Sequence, residues 1–114
     1  INDYFAFNKN WLSSQLNVSG DKLAFVSISG DSMLPTLNPG DNVLVDLSQT
    51  SLVREGIYLL HTEQGLMAKR LKNKAKGAIE VVSDNPEYQT WLINEANSQF
   101  NHIVGKVVWC AREL

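Results

Sequence analysis

Between Ser29 and Asp41 the chain reads Ser-Gly-Asp-Ser-Met-Leu-Pro-Thr-Leu-Asn-Pro-Gly-Asp, and no other run constrains the fold as much. Two prolines and two Gly-Asp pairs neither propagate a helix nor join a sheet ladder. They make a rigid loop that presents the Ser32 hydroxyl between a tight turn and an apolar residue. The segments flanking this loop are short and apolar. Leu23 to Ile28 is rich in bulky and branched residues and predicts a buried strand, and Asn42 to Asp46 predicts another directly after the Pro39-Gly40 turn. Ile57 to Thr62 and Leu66 to Lys72 flank Glu63-Gln64-Gly65, the pattern of a hairpin. Ile79 to Ser83 follows through the polar Asn73 to Gly77 loop, and Phe100 to Ala111 predicts a long final strand with a bulge or kink at Gly105. Trp91 to Ile93 is ambiguous. Ahead of these strands, Tyr4 to Phe7 suits an extended entry strand. Asn8 suits an N-cap for a helix over Lys9 to Leu16, with Trp11, Leu12, Gln15 and Leu16 on one face. The expectation is one mainly β domain over 1–114, with one short N-terminal helix.

An apolar content of 44% suits a packed globule, while a net charge of -2 makes the segment a poor candidate to grip DNA unaided. No run approaches the length of a membrane span, and the start Ile1-Asn2-Asp3-Tyr4 lacks the positive region of a signal peptide. No membrane association and a cytoplasmic location are therefore expected. The lone Cys110 lies in an apolar strand pattern and reads as a small buried thiol. Asp31, Asp41, Asp46 and Asp84 sit beside turn formers without clustered ligand spacing. Turn capping is the better account of them, and neither a metal nor a cofactor is expected. Strand alternation scatters Lys69, Arg70, Lys72, Lys74 and Lys76 over two faces and a solvated hairpin tip.

A serine hydroxyl needs a base to take its proton as it attacks. His61 and His102 occupy unrelated apolar strand contexts with no Asp partner suggested by spacing, and they read as packing or surface histidines. A Ser-Lys dyad needs only a lysine whose amine is kept neutral by burial. In a strand from Leu66 to Lys72, Lys69 shares a face with Met67 and Leu71 while Arg70 points to the other, so apolar side chains flank the Lys69 amine. Ser32 and Lys69 are thus the candidate catalytic pair. The backbone amides around Ser32 and Met33 are candidate oxyanion-hole donors, and the Met33 side chain is a candidate apolar wall for a bound peptide.

The run Ser29 to Asp46 together with Met67-Ala68-Lys69-Arg70-Leu71 resembles the LexA-like, S24-type serine peptidase domain, found in the C-terminal halves of self-cleaving bacterial and phage repressors. Ser83-Asp84-Asn85-Pro86-Glu87-Tyr88 and Val104-Gly105-Lys106-Val107-Val108-Trp109 resemble later segments of phage-repressor members. The resemblance implies a curled β-ribbon of highly twisted sheets, Ser32 as nucleophile and Lys69 as general base. It also implies a homodimer joined through the C-terminal strand region, docking of the cleavable segment favoured by a RecA-nucleoprotein filament, and DNA contact only through a separate N-terminal helix-turn-helix domain. The family cleaves at an Ala-Gly or Cys-Gly bond ahead of the serine. Neither dipeptide occurs in this chain, so the expected bond lies before Ile1. Three functions are compatible with these features: a repressor domain with latent self-cleavage, a non-cleaving oligomerisation module, and a protease acting in trans. The last includes a signal-peptidase-like enzyme. A translesion-polymerase accessory protein is a related alternative.

Overall fold

The computed structural model describes residues 22–112. The proposed entry strand and N-terminal helix lie outside the described residues. Seven strands follow in order: β1 (Leu23–Ser27), β2 (Asn42–Asp46), β3 (Gly56–Thr62), β4 (Gly65–Asn73), β5 (Ile79–Val82), β6 (Trp91–Ile93) and β7 (His102–Ala111). All pairings are antiparallel, and the sheet order is β1-β2-β7-β3-β4-β5-β6. The mainly β expectation holds. The β3–β4 hairpin closes at Thr62 opposite Gly65, where a φ of +104 is one that glycine adopts without strain.

β2 and β3 are covered on both faces, so a single sheet builds three apolar clusters by curling around itself. Along β3, Leu59 packs with Met33, Leu37, Val43 and Val45, whereas Tyr58 and Leu60 point the other way and pack with Leu71, Val81 and Ile93. On β2, Leu44 turns from Val43 and Val45 to join Leu23 and Phe25. Period-two alternation therefore feeds two layers from one strand.

Two differences from the sequence expectation concern the last strands. Trp91–Ile93 resolves as a strand, paired with β5 at one end of the sheet. β7 lies in the sheet interior between β2 and β3, so both of its hydrogen-bonding edges are occupied. A homodimer through the C-terminal strand region would therefore not join β7 edge to edge. The apolar residues of β7 serve intramolecular clusters: Ile103 packs beside Tyr58 and Leu60, Val104 and Val107 beside Val43, and Val108 beside Leu44. The irregularity expected near Gly105 is present as a register shift, with Leu59 opposite Gly105 and Leu60 opposite Ile103, leaving Val104 as the extra residue. Glycine is required at 105 by close approach, since a Cβ there would lie 2.6 Å from the Asp46 carbonyl oxygen. His61 and His102, which look unrelated in sequence, face each other across β3 and β7 on the exposed surface.

Candidate active site

The Ser32 loop is fixed from below and from both ends. Met33 and Leu37 drop into the core, the Ile28 amide donates to the Asp41 carbonyl at 2.8 Å, and the Gly40 amide donates to the Ile28 carbonyl at 2.8 Å. Thr36 and Leu37 both donate their amides to the Met33 carbonyl at 2.9 Å, and the Leu34-Pro35 peptide is cis. Asp41 accepts from the Asn38 amide and, across the fold, from the Arg112 guanidinium, which also donates to the Thr36 carbonyl at 3.1 Å. Those bonds hold the Asp41 carboxyl at about 2, well below its ordinary range, and the Arg112 pairing is the largest cause. Within this frame, Ser32 is half-buried at the rim of the molecule.

Lys69 comes from the middle of β4 and is only 8% exposed. Burial alone pushes its amine below the ordinary lysine value. Among the described residues, no carboxylate lies within ion-pair distance of it. Its Nζ donates to Ser83 Oγ at 2.8 Å and lies 5.4 Å from the centre of the Tyr88 ring. Ser32 and Lys69 line one open cavity of about 370 Å³, shared with Ser83, Met67, Tyr88 and Trp91. No direct hydrogen bond joins the two among the described residues; in this resting arrangement Ser83 holds the amine. A smaller cavity of about 240 Å³ adjoins Ser32 and has an apolar lining that includes Val26, Ile28, Leu66 and Ala68.

The segment after β5 joins the two halves of the site. Asp84 takes both prongs of the Arg70 guanidinium at 2.8 Å and the Thr36 hydroxyl at 2.5 Å. The Asn85 amide donates to the Ser32 carbonyl at 3.0 Å, and the Asn85 side chain donates to the Asp31 carbonyl at 3.0 Å. Turn capping is therefore too small a role for Asp84, which bridges β4 to the serine loop. It does describe Asp46, whose carboxylate accepts from Ser48 and Gln49 two and three residues on. The Met33 side chain has a second role beside the expected one. It is 2% exposed, belongs to the core and accepts the Asp84 amide on its sulfur, yet it also lines the cavity beside Ser32 together with Ile28, Leu66 and Ala68. The amides of Ser32 and Met33 donate to no other described residue.

Sequence reasoning missed Ser83 as the partner of Lys69, because Ile79 to Ser83 reads as one strand. The signal was in the hairpin register. Asn73 pairs with Ile79 and Arg70 with Val82, so counting back places Ser83 opposite Lys69.

The Peptidase S24-like family model matches residues 1–108. The chain belongs to the S24-like peptidase family. It is 36% identical over 88 residues to the 26 kDa repressor protein of Escherichia phage HK022, covering 77% of this chain and 37% of that protein. It is 38% identical over 104 residues to an uncharacterized HTH-type transcriptional regulator of Haemophilus influenzae, covering 90% of this chain and 43% of that one. The chain thus spans about two fifths of the length of these relatives. It is a repressor-like S24 domain. Among the described residues, no helix is long and apolar enough to cross a membrane, and no group of three His, Cys, Asp or Glu could hold a metal ion.

Proposed function

We propose that this is the regulatory domain of a cytoplasmic helix-turn-helix repressor, and that it cleaves its own chain with a Ser32–Lys69 dyad. The observation that carries the reading is a buried lysine amine that has no carboxylate partner among the described residues and opens into the same cavity as Ser32. In the reaction, Ser32 Oγ bonds to the scissile carbonyl carbon while its proton passes to neutral Lys69 Nζ. The amides of Ser32 and Met33 receive the negative charge on the carbonyl oxygen. Lys69 then returns that proton to the leaving nitrogen as the C–N bond breaks. Water then adds to the ester carbonyl as its proton passes to Lys69, the bond to Ser32 Oγ breaks, and Lys69 returns the proton to that oxygen, which restores both groups.

The geometry also supports a way of docking. β5 pairs with β4 only from Arg70 to Asn73, which leaves the outer edge of β4 over residues 65–69 unpaired among the described residues and directed at the cavity. An extended segment added there would run past Ser32 with alternate side chains entering the apolar pocket. Tethering makes such docking effectively unimolecular, so a poorly primed dyad suffices and regulation acts on docking. By family likeness, a RecA-nucleoprotein filament favours the docked state, and DNA is read by a separate domain. A homodimer joined in the C-terminal strand region would use a face near β7, where Phe100 and Trp109 are exposed, and not the edges of that strand, which β2 and β3 occupy.

The test uses the full-length repressor with its residues upstream of Ile1. Cleavage, followed by gel, should accelerate as pH rises through the lowered Lys69 value and should be lost in both Ser32→Ala and Lys69→Ala, with circular dichroism unchanged. Persistent cleavage in either variant would assign the chemistry to another group.

A further inference from the structure

Among the described residues, the Tyr88 ring stands over the Lys69 amine, at 5.4 Å from Nζ to ring centre, within the range in which a ring face attracts a cation. Its place is fixed on three sides. The phenol donates to Asp31 Oδ1, the Tyr88 amide donates to the Asn85 carbonyl at 3.1 Å, and Asn85 is itself pinned to the Ser32 and Asp31 carbonyls. The ring is 44% exposed at the rim of the cavity that Ser32 and Lys69 share, so a peptide entering the site meets it.

We propose that Tyr88 is a brake on the general base: its ring face favours the Lys69 ammonium in the resting domain, and a docking segment that moves the ring releases a neutral amine. This rests on the Ser32–Lys69 reading. Two influences oppose each other at Nζ. Packing around Lys69 favours the uncharged amine, while the ring quadrupole and the Ser83 hydroxyl oxygen favour the charged one. Among the described residues, three titratable neighbours of the site are engaged elsewhere. Asp84 is forked to Arg70, Asp31 accepts the Tyr88 phenol, and Tyr58, opposite Lys69 on β3, donates its hydroxyl to the Arg54 carbonyl. Lys106 of β7 stands over the Tyr58 ring, Lys72 follows on β4, and Glu87 is exposed on the Tyr88 segment. When the ring moves away, the ammonium gives its proton to solvent, and the neutral amine can then take the proton of Ser32.

The experiment titrates Lys69 by NMR in ε-13C-lysine protein carrying Ser32→Ala, so that no cleavage intervenes and failure of the dyad reading does not obscure the result. Tyr88→Leu and Tyr88→Met keep apolar cover but remove the ring face, and both should lower the Lys69 midpoint by about half a pH unit. Tyr88→Phe keeps the ring and should leave the midpoint where it is. In the full-length repressor with Ser32 intact, the cleavage profile of the Leu variant should move to lower pH by the same amount, about threefold faster below the midpoint. A midpoint that rises or stays fixed in both ring-less variants, or a Phe variant that shifts as far as they do, would overturn the proposal.

Discussion

Replacing Asp84 by Asn should loosen the joint between the two halves of the site without changing the shape of the side chain. Asp84 accepts two prongs from Arg70 and one bond from Thr36, and Arg70 pairing is the largest cause of its lowered pKa. Hydrogen bonds to charged groups are worth about 1.5–3 kcal/mol each when sheltered, whereas exposed ion pairs are worth about 0–1 kcal/mol. The Arg70 side chain is 28% exposed and that of Asp84 12%, so solvent screens part of the attraction, and a net loss of about 2 kcal/mol is expected. For a domain of this size that corresponds to roughly 10 °C in Tm. The loss should depend on pH with a definite sign. The folded-state value of Asp84 lies below the unfolded one, so its contribution is complete above an unfolded value of about 4. That contribution disappears as pH falls through the lower folded value. Urea denaturation of Asp84→Asn and the parent should therefore show the full gap at pH 7 and a much smaller one near pH 2.5. Equal stability at pH 7, or a gap unchanged in acid, would refute the reasoning.

Gly105→Ala places a Cβ 2.6 Å from the Asp46 carbonyl oxygen, where backbone rather than a flexible side chain must give way, and should cost about 1–3 kcal/mol by urea denaturation. Asp41 should titrate near 2 by carboxyl 13C NMR, and Arg112→Gln, which removes the largest cause of that depression, should move its midpoint up toward the ordinary aspartate range. Because the folded value is the lower one, the Asp41 contribution to stability is present above about 4 and fades as pH falls toward 2.

Much of the strand content was legible because each strand carries its own local signal. Val43, Leu44 and Val45 are branched and apolar, and a glycine closes the β3–β4 turn at Gly65. The candidate pair was legible for a similar reason: alternation along β4 puts Lys69 on the face of Met67 and Leu71. The placement of β7 was not. Its apolar residues fit equally well on an exposed edge seeking a second copy and in the interior of a curled sheet. Only the pairing with β2 and β3 distinguishes the two. The anchoring role of Met33 was not legible either, because a methionine beside a nucleophile is indistinguishable in sequence from one that also holds the loop from below.

The sequence by itself determined where the backbone could not be regular and which residues could carry chemistry: the rigid run from Ser29 to Asp41, the hydroxyl within it, and a lysine in an apolar strand. These are properties of neighbouring residues, set by proline and glycine geometry and by the period of the strand. The tertiary structure alone decided what surrounds that lysine. Ser83 under its amine, Tyr88 over it, Asp84 and Asn85 across to the serine loop, and Arg112 against Asp41 are contacts between segments distant along the chain. Desolvation and hydrogen bonding act through space, so the protonation state of Lys69 is set by how the sheet curls.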